Sequence, residues 1–183
     1  MPGLLSRLAT TRVEVETFNS KDERCLARCS STARWHLRHA IVTSIDIAAP
    51  PERIWAVLLD FARYSEWNPF VRSIEGRPTE GSPLKVTIQP PDGKAMAFRP
   101  IVLRHRVGGE FRWKGKLLFP GLFDGEHYFE LSPGTDGSTL FTHGENFSGL
   151  LVALFRSALN KGTKAGFEAM NLALKQRLES GAA

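Results

Sequence analysis

From Ile41 onward the chain shows clear periodicity. Thr43, Ile45 and Ile47 alternate with Val42, Ser44 and Asp46, the period of two expected of a strand with one buried face. Pro50-Pro51-Glu52 then sets the backbone angle and the acidic first turn of a helix. Within that helix Ile54, Val57, Leu58 and Phe61 recur three and four apart, forming one apolar stripe. Asn68-Pro69 closes an aromatic corner, Tyr64 to Phe70, because proline drives its predecessor out of helical geometry. Six more strands are predicted, at about 71–77, 84–89, 95–105, 110–119, 126–132 and 139–147. Turn-forming runs such as Pro90-Pro91-Asp92-Gly93 and Pro133-Gly134-Thr135-Asp136-Gly137 separate them, and such short connections make an antiparallel meander. The last segment, about 149–179, reads as one helix with Leu151, Phe155, Leu159, Phe167, Met170, Leu174 and Leu178 on a single stripe. Gly162 and Gly166 interrupt it, which predicts a bend or a close backbone approach.

Residues 1–40 keep neither period and are dominated by polar and charged side chains from Asn19 to Arg34. They read as a flexible N-terminal extension, with the folded domain spanning 41–180. Of the 24 Lys/Arg and 19 Asp/Glu in the chain, seven and four fall in residues 1–40, which leaves a net of only +2 for the rest. The predicted domain is nearly neutral, and this argues against a nucleic-acid surface on it. At 183 residues and 42 % hydrophobic composition the chain suits one domain with an appendage and a sizeable core.

No apolar run reaches the roughly 20 residues needed for a membrane-spanning helix. The first residues lack a secretory hydrophobic region, and Glu14 and Glu16 spoil a faint likeness to an organellar presequence. Both cysteines, Cys25 and Cys29, lie in the extension, so no disulfide framework holds the core and a cytoplasmic location is expected. Cys25, Cys29, His36 and His39 are four potential zinc ligands spaced C-x3-C-x6-H-x2-H. The histidine-side gaps are shorter than zinc fingers use and no apolar set surrounds them, so they read as solvated side chains.

Alternation also assigns inward faces. Leu84, Val86 and Ile88 share one, as do Phe111, Trp113, Leu117 and Phe119 opposite Arg112, Lys114 and Lys116. Met96, Phe98 and Val102 point inward with Arg99 outside. His127, Phe129 and Leu131 face in against Glu126, Tyr128 and Glu130, and Phe141, His143, Glu145 and Phe147 follow on the last strand. Three ionisable groups, His127, His143 and Glu145, thereby fall in an aromatic lining. Burial there is costly unless they contact one another or a ligand's polar end. A His–Glu pair can serve as general acid and base, and two histidines with a carboxylate can also ligate non-haem iron. The loop Phe119 to Gly125 is apolar enough either to cap a cavity with Leu122 and Phe123 or to pack on the long helix. There is no Gly-rich phosphate loop, no G-x-S-x-G elbow and no cysteine in the domain.

The order strand, proline-started helix, Trp67-Asn68-Pro69-Phe70 corner, meander and long helix resembles the START-like superfamily, also called SRPBCC or polyketide cyclase/dehydrase-type and including Bet v 1-like proteins. The resemblance covers residues 41–179. It implies an α+β helix-grip fold: a curved seven-stranded antiparallel sheet wrapped around a long C-terminal helix, with two short helices after the first strand. It also implies an apolar cavity between sheet and helix, with Trp67 near one end. The expected function is binding of a hydrophobic or amphipathic small molecule, such as a lipid, a quinone or a polyketide-like compound. Trp67, Phe70, Phe98, Trp113 and Phe129 would supply apolar contact, and His127, His143 and Glu145 would fix the polar end. A second reading is a cyclase or dehydratase in the same cavity, with His127 or His143 as base and Glu145 as acid. A third is an assembly protein that binds a macromolecule through its basic tail. No cofactor is implied.

Overall fold

The computed structural model describes residues 38–180. Residues 1–37, including Cys25, Cys29 and His36, lie outside the described residues, while Arg38, His39 and Ala40, read as the end of the extension, begin the first strand. Strand β1 (Arg38–Ile47) leads into helix α1 (Pro51–Leu59), a 3-10 turn (Phe61–Arg63) and the short α2 (Tyr64–Trp67). Then come β2 (Val71–Gly76), β3 (Leu84–Ile88), β4 (Met96–Phe98), β5 (Ile101–Arg106), β6 (Glu110–Lys116), β7 (Asp124–Pro133) and β8 (Thr139–Ser148). The chain ends in α3 (Val152–Ala158), a π-helical turn (Leu159–Thr163) and α4 (Lys164–Glu179). This is an α+β, helix-grip-like arrangement. Among the described residues no helix is long and apolar enough to cross a membrane.

The single seven-stranded sheet expected from the sequence is instead two antiparallel sheets. One has five strands in the order β1-β8-β7-β6-β5, the other three in the order β2-β3-β4. The stretch read as one strand over 95–105 is broken at Arg99-Pro100 into β4 and β5. Proline has no N–H to give to a ladder, so a strand cannot run through Pro100 unbroken. The Pro100 carbonyl still accepts from Leu84 N at 2.9 Å, and Val102 N donates to Ser82 O at 3.0 Å. Those bonds and the Pro83–Ile101 bridge join the two sheets at a corner.

The C-terminal segment also differs from a uniform helix. Gly149 takes φ +128 in a turn, so helical geometry begins at Val152. The backbone stays right-handed through both junctions, so α3 and α4 form one helix widened for a single turn. Its inward face buries Gly166, Phe167, Met170, Asn171, Leu174 and Leu178. Contacts along β1 fix its axial position: Lys175 Nζ donates to Asp46 O at 2.7 Å and Ala48 N donates to Glu179 Oε1 at 2.9 Å.

The aromatic corner is fastened from within. The Tyr64 hydroxyl donates to Leu58 O at 2.7 Å, while Asn68 Oδ1 accepts from Phe70 N and Val71 N at 3.0 and 2.8 Å. Phe70 is thereby held against α4 at Gly166, where a Cβ would collide with its ring. The close approach expected of the helix glycines is thus met at Gly166, and its partner is the corner preceding β2. On the outer face of the large sheet Arg112 binds Glu110, Glu126 and Glu130 at 2.7, 2.6 and 3.0 Å and lies over the Tyr128 ring. These are the outward positions that alternation assigns to β6 and β7.

Candidate functional site

Between the sheets and the C-terminal helix lies a cavity of about 640 Å³. At about 24 cal/mol per Å³, keeping such a volume dry would cost on the order of 15 kcal/mol, as much as a whole domain's stability. A space of this size is a compartment for solvent or ligand, not a packing defect. Its walls come from the Phe70 corner, Val86 and Ile88 of β3, Trp113 of β6, His127 of β7, Glu145 and Phe147 of β8, and the π turn.

The π turn brings Leu159, Lys161, Gly162 and Thr163 to the wall. Such turns interrupt the regular helix ladder and often lie at functional sites. At the mouth, Leu117 and Phe123 join Phe155. Phe123 packs edge-on against Phe155 with ring centroids 5.6 Å apart, and Leu151 N donates to Leu122 O at 3.0 Å. The apolar loop is thus packed on the start of the helix, with Phe123 bordering the cavity while Leu122 does not line it.

Of the eight residues expected at a ligand site, Phe70, Phe98, Trp113, His127 and Glu145 line the cavity. Trp67, Phe129 and His143 do not. Trp67 stays on the far side of its corner, half-buried and packed on Tyr64 with centroids 5.3 Å apart, because the Asn68 turn sends Phe70 inward in its place. Phe129 is wholly buried among Trp113, His127, Phe141 and His143. Leu117 and Phe119, expected inside, are 39 % and 57 % exposed. The reason is that β6 stops at Lys116 and Leu118 takes φ 61, which breaks the alternation. Met96, also expected inside, is 45 % exposed on the short β4 although it borders the cavity.

Register explains how the ionisable groups meet. Trp113 pairs with His127, His127 with Glu145, and Glu145 with Ile41, in one row across β6, β7, β8 and β1. The adjacent row holds Phe111, Phe129, His143 and Thr43. His127 Nδ1 lies 3.7 Å from Glu145 Oε2 in its own row, and His127 Nε2 lies 3.1 Å from His143 Nε2 in the next. His143 Nδ1 meets Asn171 Oδ1 at 3.0 Å, and Asn171 Nδ2 donates to Thr43 Oγ1 at 2.9 Å. Aromatic rings cover both imidazoles. Trp113 stacks on His127 at 4.3 Å and Phe167 stacks on His143 at 3.7 Å. Gly125, beside Phe147 in the register, leaves room for the carboxyl: a Cβ there would run into Glu145 Oε1.

Burial sets the protonation of this chain. It pushes the Glu145 carboxyl up to about 8 and the His127 imidazole down to about 3. His143 falls well below its ordinary value through burial and the neighbouring His127, with the Asn171 hydrogen bond partly offsetting both. Near neutrality all three groups are therefore uncharged, which is how such an apolar wall tolerates them. Glu145 keeps 19 % of its side-chain surface, while His127 keeps 7 %. The carboxyl is thus the more accessible of the pair. The alternative of a shared iron is not met by this geometry, since His143 spends both ring nitrogens on Asn171 and His127. Among the described residues no group of three His, Cys, Asp or Glu is arranged to hold a metal ion.

Asn171 is the participant that the sequence reading missed. Helical spacing from Phe167 and Leu174 would have put it on the buried face, where an amide needs partners.

Residues 38–179 match the family described as polyketide cyclase / dehydrase and lipid transport, and the chain belongs to that family. Solved structures share the fold at low identity. The aromatase/cyclase ZhuI from Streptomyces sp. R1128 is 13 % identical with a TM-score of 0.64, over 80 % of this chain and 97 % of that one. A START superfamily protein from Mycobacterium smegmatis is 19 % identical with a TM-score of 0.60, over 77 % and 97 %. The di-domain ARO/CYC StfQ of the steffimycin biosynthetic pathway is 17 % identical with a TM-score of 0.60 over 80 % of this chain. The chain spans about half of StfQ, 52 % of its length. No curated protein sequence matches the chain.

Proposed function

We propose that this protein binds a hydrophobic or amphipathic small molecule in its internal cavity and acts on it as an acid–base catalyst of the cyclase or dehydratase type. The observation that carries the reading is the Glu145–His127 pair, set 3.7 Å apart on the wall of an aromatic-lined cavity of about 640 Å³. Ring closure by carbonyl condensation, and the loss of water that follows, need a proton given to an oxygen and another taken from carbon. A neutral carboxylic acid beside a neutral imidazole offers one group for each task. Phe70, Phe98 and Trp113 would hold a flat or extended apolar body against the wall. Flat polycarbonyl or polyketide-like ligands fit this description better than simple acyl chains, because acyl chains have no use for the pair. Family membership and the likeness to the aromatase/cyclases ZhuI and StfQ support the same direction.

Native mass spectrometry of the purified full-length protein, with extraction of whatever it carries, tests the binding half. Repeated recovery of an apolar carbonyl or phenolic compound supports it. Protein that is always empty, and indifferent to quinones, lipids and aromatic polyketides, overturns it. The catalytic half is tested by Glu145→Gln, which should retain binding of the recovered compound and lose its conversion. Retention of both would leave a carrier and remove the enzyme.

A further inference from the structure

The polar chain behind Glu145 has a direction, and two residues outside the cavity fix it. A Nε2-to-Nε2 contact such as that between His127 and His143, 3.1 Å apart, needs one ring to donate and the other to accept. Which ring does so is decided at the far end. Thr43 Oγ1 donates to the His143 backbone carbonyl at 3.3 Å, so its lone pair is left to accept from Asn171 Nδ2 at 2.9 Å. The Asn171 amide is thereby turned with Oδ1 toward His143 Nδ1, 3.0 Å away. An amide oxygen only accepts, so His143 carries its proton on Nδ1 and offers a lone pair at Nε2. His127 must then donate from Nε2, which leaves its Nδ1 as a lone pair facing Glu145. At 3.7 Å the carboxyl is too far from that lone pair for a hydrogen bond, so its proton stays available to the cavity.

We propose that Asn171 and Thr43 are positioning residues that set the direction of this hydrogen-bond chain, so that His127 turns a proton-free Nδ1 toward the Glu145 carboxyl, 3.7 Å away. The proposal rests on the reading of Glu145 and His127 as acid and base. Reversing the amide of Asn171 would reverse every link. His143 would donate from Nε2 to His127, and His127 would carry its own proton on Nδ1, facing the Glu145 carboxyl with an N–H. The imidazole would then offer the carboxyl a donor in place of an acceptor, with no side chain moved by more than an amide flip. Thr43 Oγ1 is what distinguishes the two arrangements, since only one of them leaves its hydroxyl proton for the His143 carbonyl. Burial acts in the same sense, raising Glu145 and lowering both histidines. Thr43 is 1 % exposed and Asn171 2 % exposed, so water does not compete for these bonds.

Heteronuclear NMR of the ligand-free, full-length protein labelled at the histidine ring nitrogens reads the arrangement directly. At neutral pH, His143 is expected as the Nδ1–H tautomer and His127 as the Nε2–H tautomer. An imidazolium at either position, or the reverse pair of tautomers, overturns the proposal. Thr43→Val removes the hydroxyl at nearly constant volume, and it should shift both rings toward the reverse tautomers. Thr43→Ser should restore the wild-type pattern. Wild-type tautomers persisting in a folded Thr43→Val protein would remove the positioning role. Because no ligand enters these measurements, a correct tautomer pattern in a protein without turnover would overturn the enzymatic reading and leave the chain standing.

Discussion

His127 and Glu145 face each other across the β7–β8 ladder, Nδ1 to Oε2 at 3.7 Å, and burial shifts them in opposite directions toward neutrality. A carboxyl beside an imidazole in water would form an ion pair. Here Trp113 covers the imidazole at 4.3 Å and Phe147 and Phe70 extend the apolar wall, so burial disfavours both charged forms. The pair therefore holds its proton on the oxygen. That single fact has consequences for stability, for binding and for substitution at neighbouring glycines.

Stability should peak near pH 6.5. In the folded protein Glu145 keeps its proton to about 8, against 4.5 for an ordinary carboxyl. Between those values the folded state holds a proton that the unfolded chain has released, so raising the pH costs stability. The two histidines act oppositely: below their ordinary 6.5 the unfolded chain takes up protons that the folded one refuses, down to about 3 for His127. Two histidines outweigh one carboxyl on the acid side, and Glu145 alone among the three acts on the alkaline side. Urea denaturation across this range should show the maximum. Glu145→Gln should flatten the decline between pH 6.5 and 8, and an undiminished decline would exonerate Glu145.

Trp113 should report ligand binding by fluorescence while the other described tryptophans do not. It lines the cavity, whereas Trp55 stacks on His105 at 5.6 Å and Trp67 packs on Tyr64. Quenching by a bound aromatic compound should survive Trp55→Phe and Trp67→Phe and disappear in Trp113→Phe. Truncation to Ala is a harsher change, expected to cost about 3–5 kcal/mol because the ring also supports Phe111, His127 and Phe129. Quenching that persists in Trp113→Phe would move the ligand away from this wall.

Gly125→Ala should disturb the acid without touching it chemically. The added methyl collides with Glu145 Oε1, whose carboxyl is the flexible end of a side chain and can rotate away. The expected cost to stability is modest, about 1 kcal/mol, since the group that must yield is mobile. The carboxyl's distance from His127 should change more than the fold does. Infrared difference spectroscopy of the protonated carboxyl, compared with Glu145→Gln, would detect the shift. A variant with an unaltered carboxyl signal would show that Gly125 is not what makes room for it.

Most of the architecture is legible in the sequence because each element carries its own local cause. The period-two run in β1, the Pro50-Pro51 helix start and the glycine-rich turns all act within a few residues. Three features are not read from alternation. Pro100 splits a strand that alternation reads as continuous, and the split creates two sheets because Leu84 and Val102 bond across the corner. Trp67 and Phe70 look equivalent in the aromatic corner, but the Asn68 turn sends only Phe70 to the cavity. His127, His143 and Glu145 are visible as inward ionisable groups, while the bond that ties His143 to the helix comes from Asn171, a residue 28 positions beyond it. Alternation gives the face of a strand. It does not give the diagonal that joins His127 to His143 across two rows.

Gly166 and Gly162 should respond to alanine with opposite signs. Each lies in the C-terminal helix, where replacing glycine by alanine ordinarily gains about 1 kcal/mol through helix propensity. At Gly162 a Cβ would meet only Pro90, at 3.6 Å, an ordinary van der Waals contact. Gly162→Ala should therefore be neutral or stabilising by up to about 1 kcal/mol, with the π turn limiting the gain. At Gly166 the same atom collides with the Phe70 ring. Phe70 has little room to yield, being 2 % exposed, held by Asn68 through its backbone and packed edge-on against Phe167 at 5.5 Å. Overpacking of this kind typically costs about 1–3 kcal/mol, enough to reverse the propensity gain. Because Phe70 also forms the cavity wall, Gly166→Ala should weaken ligand binding as well, and Gly162→Ala should not do so to the same degree. Equal and favourable effects at both positions in chemical denaturation would mean that the helix does not press on the aromatic corner.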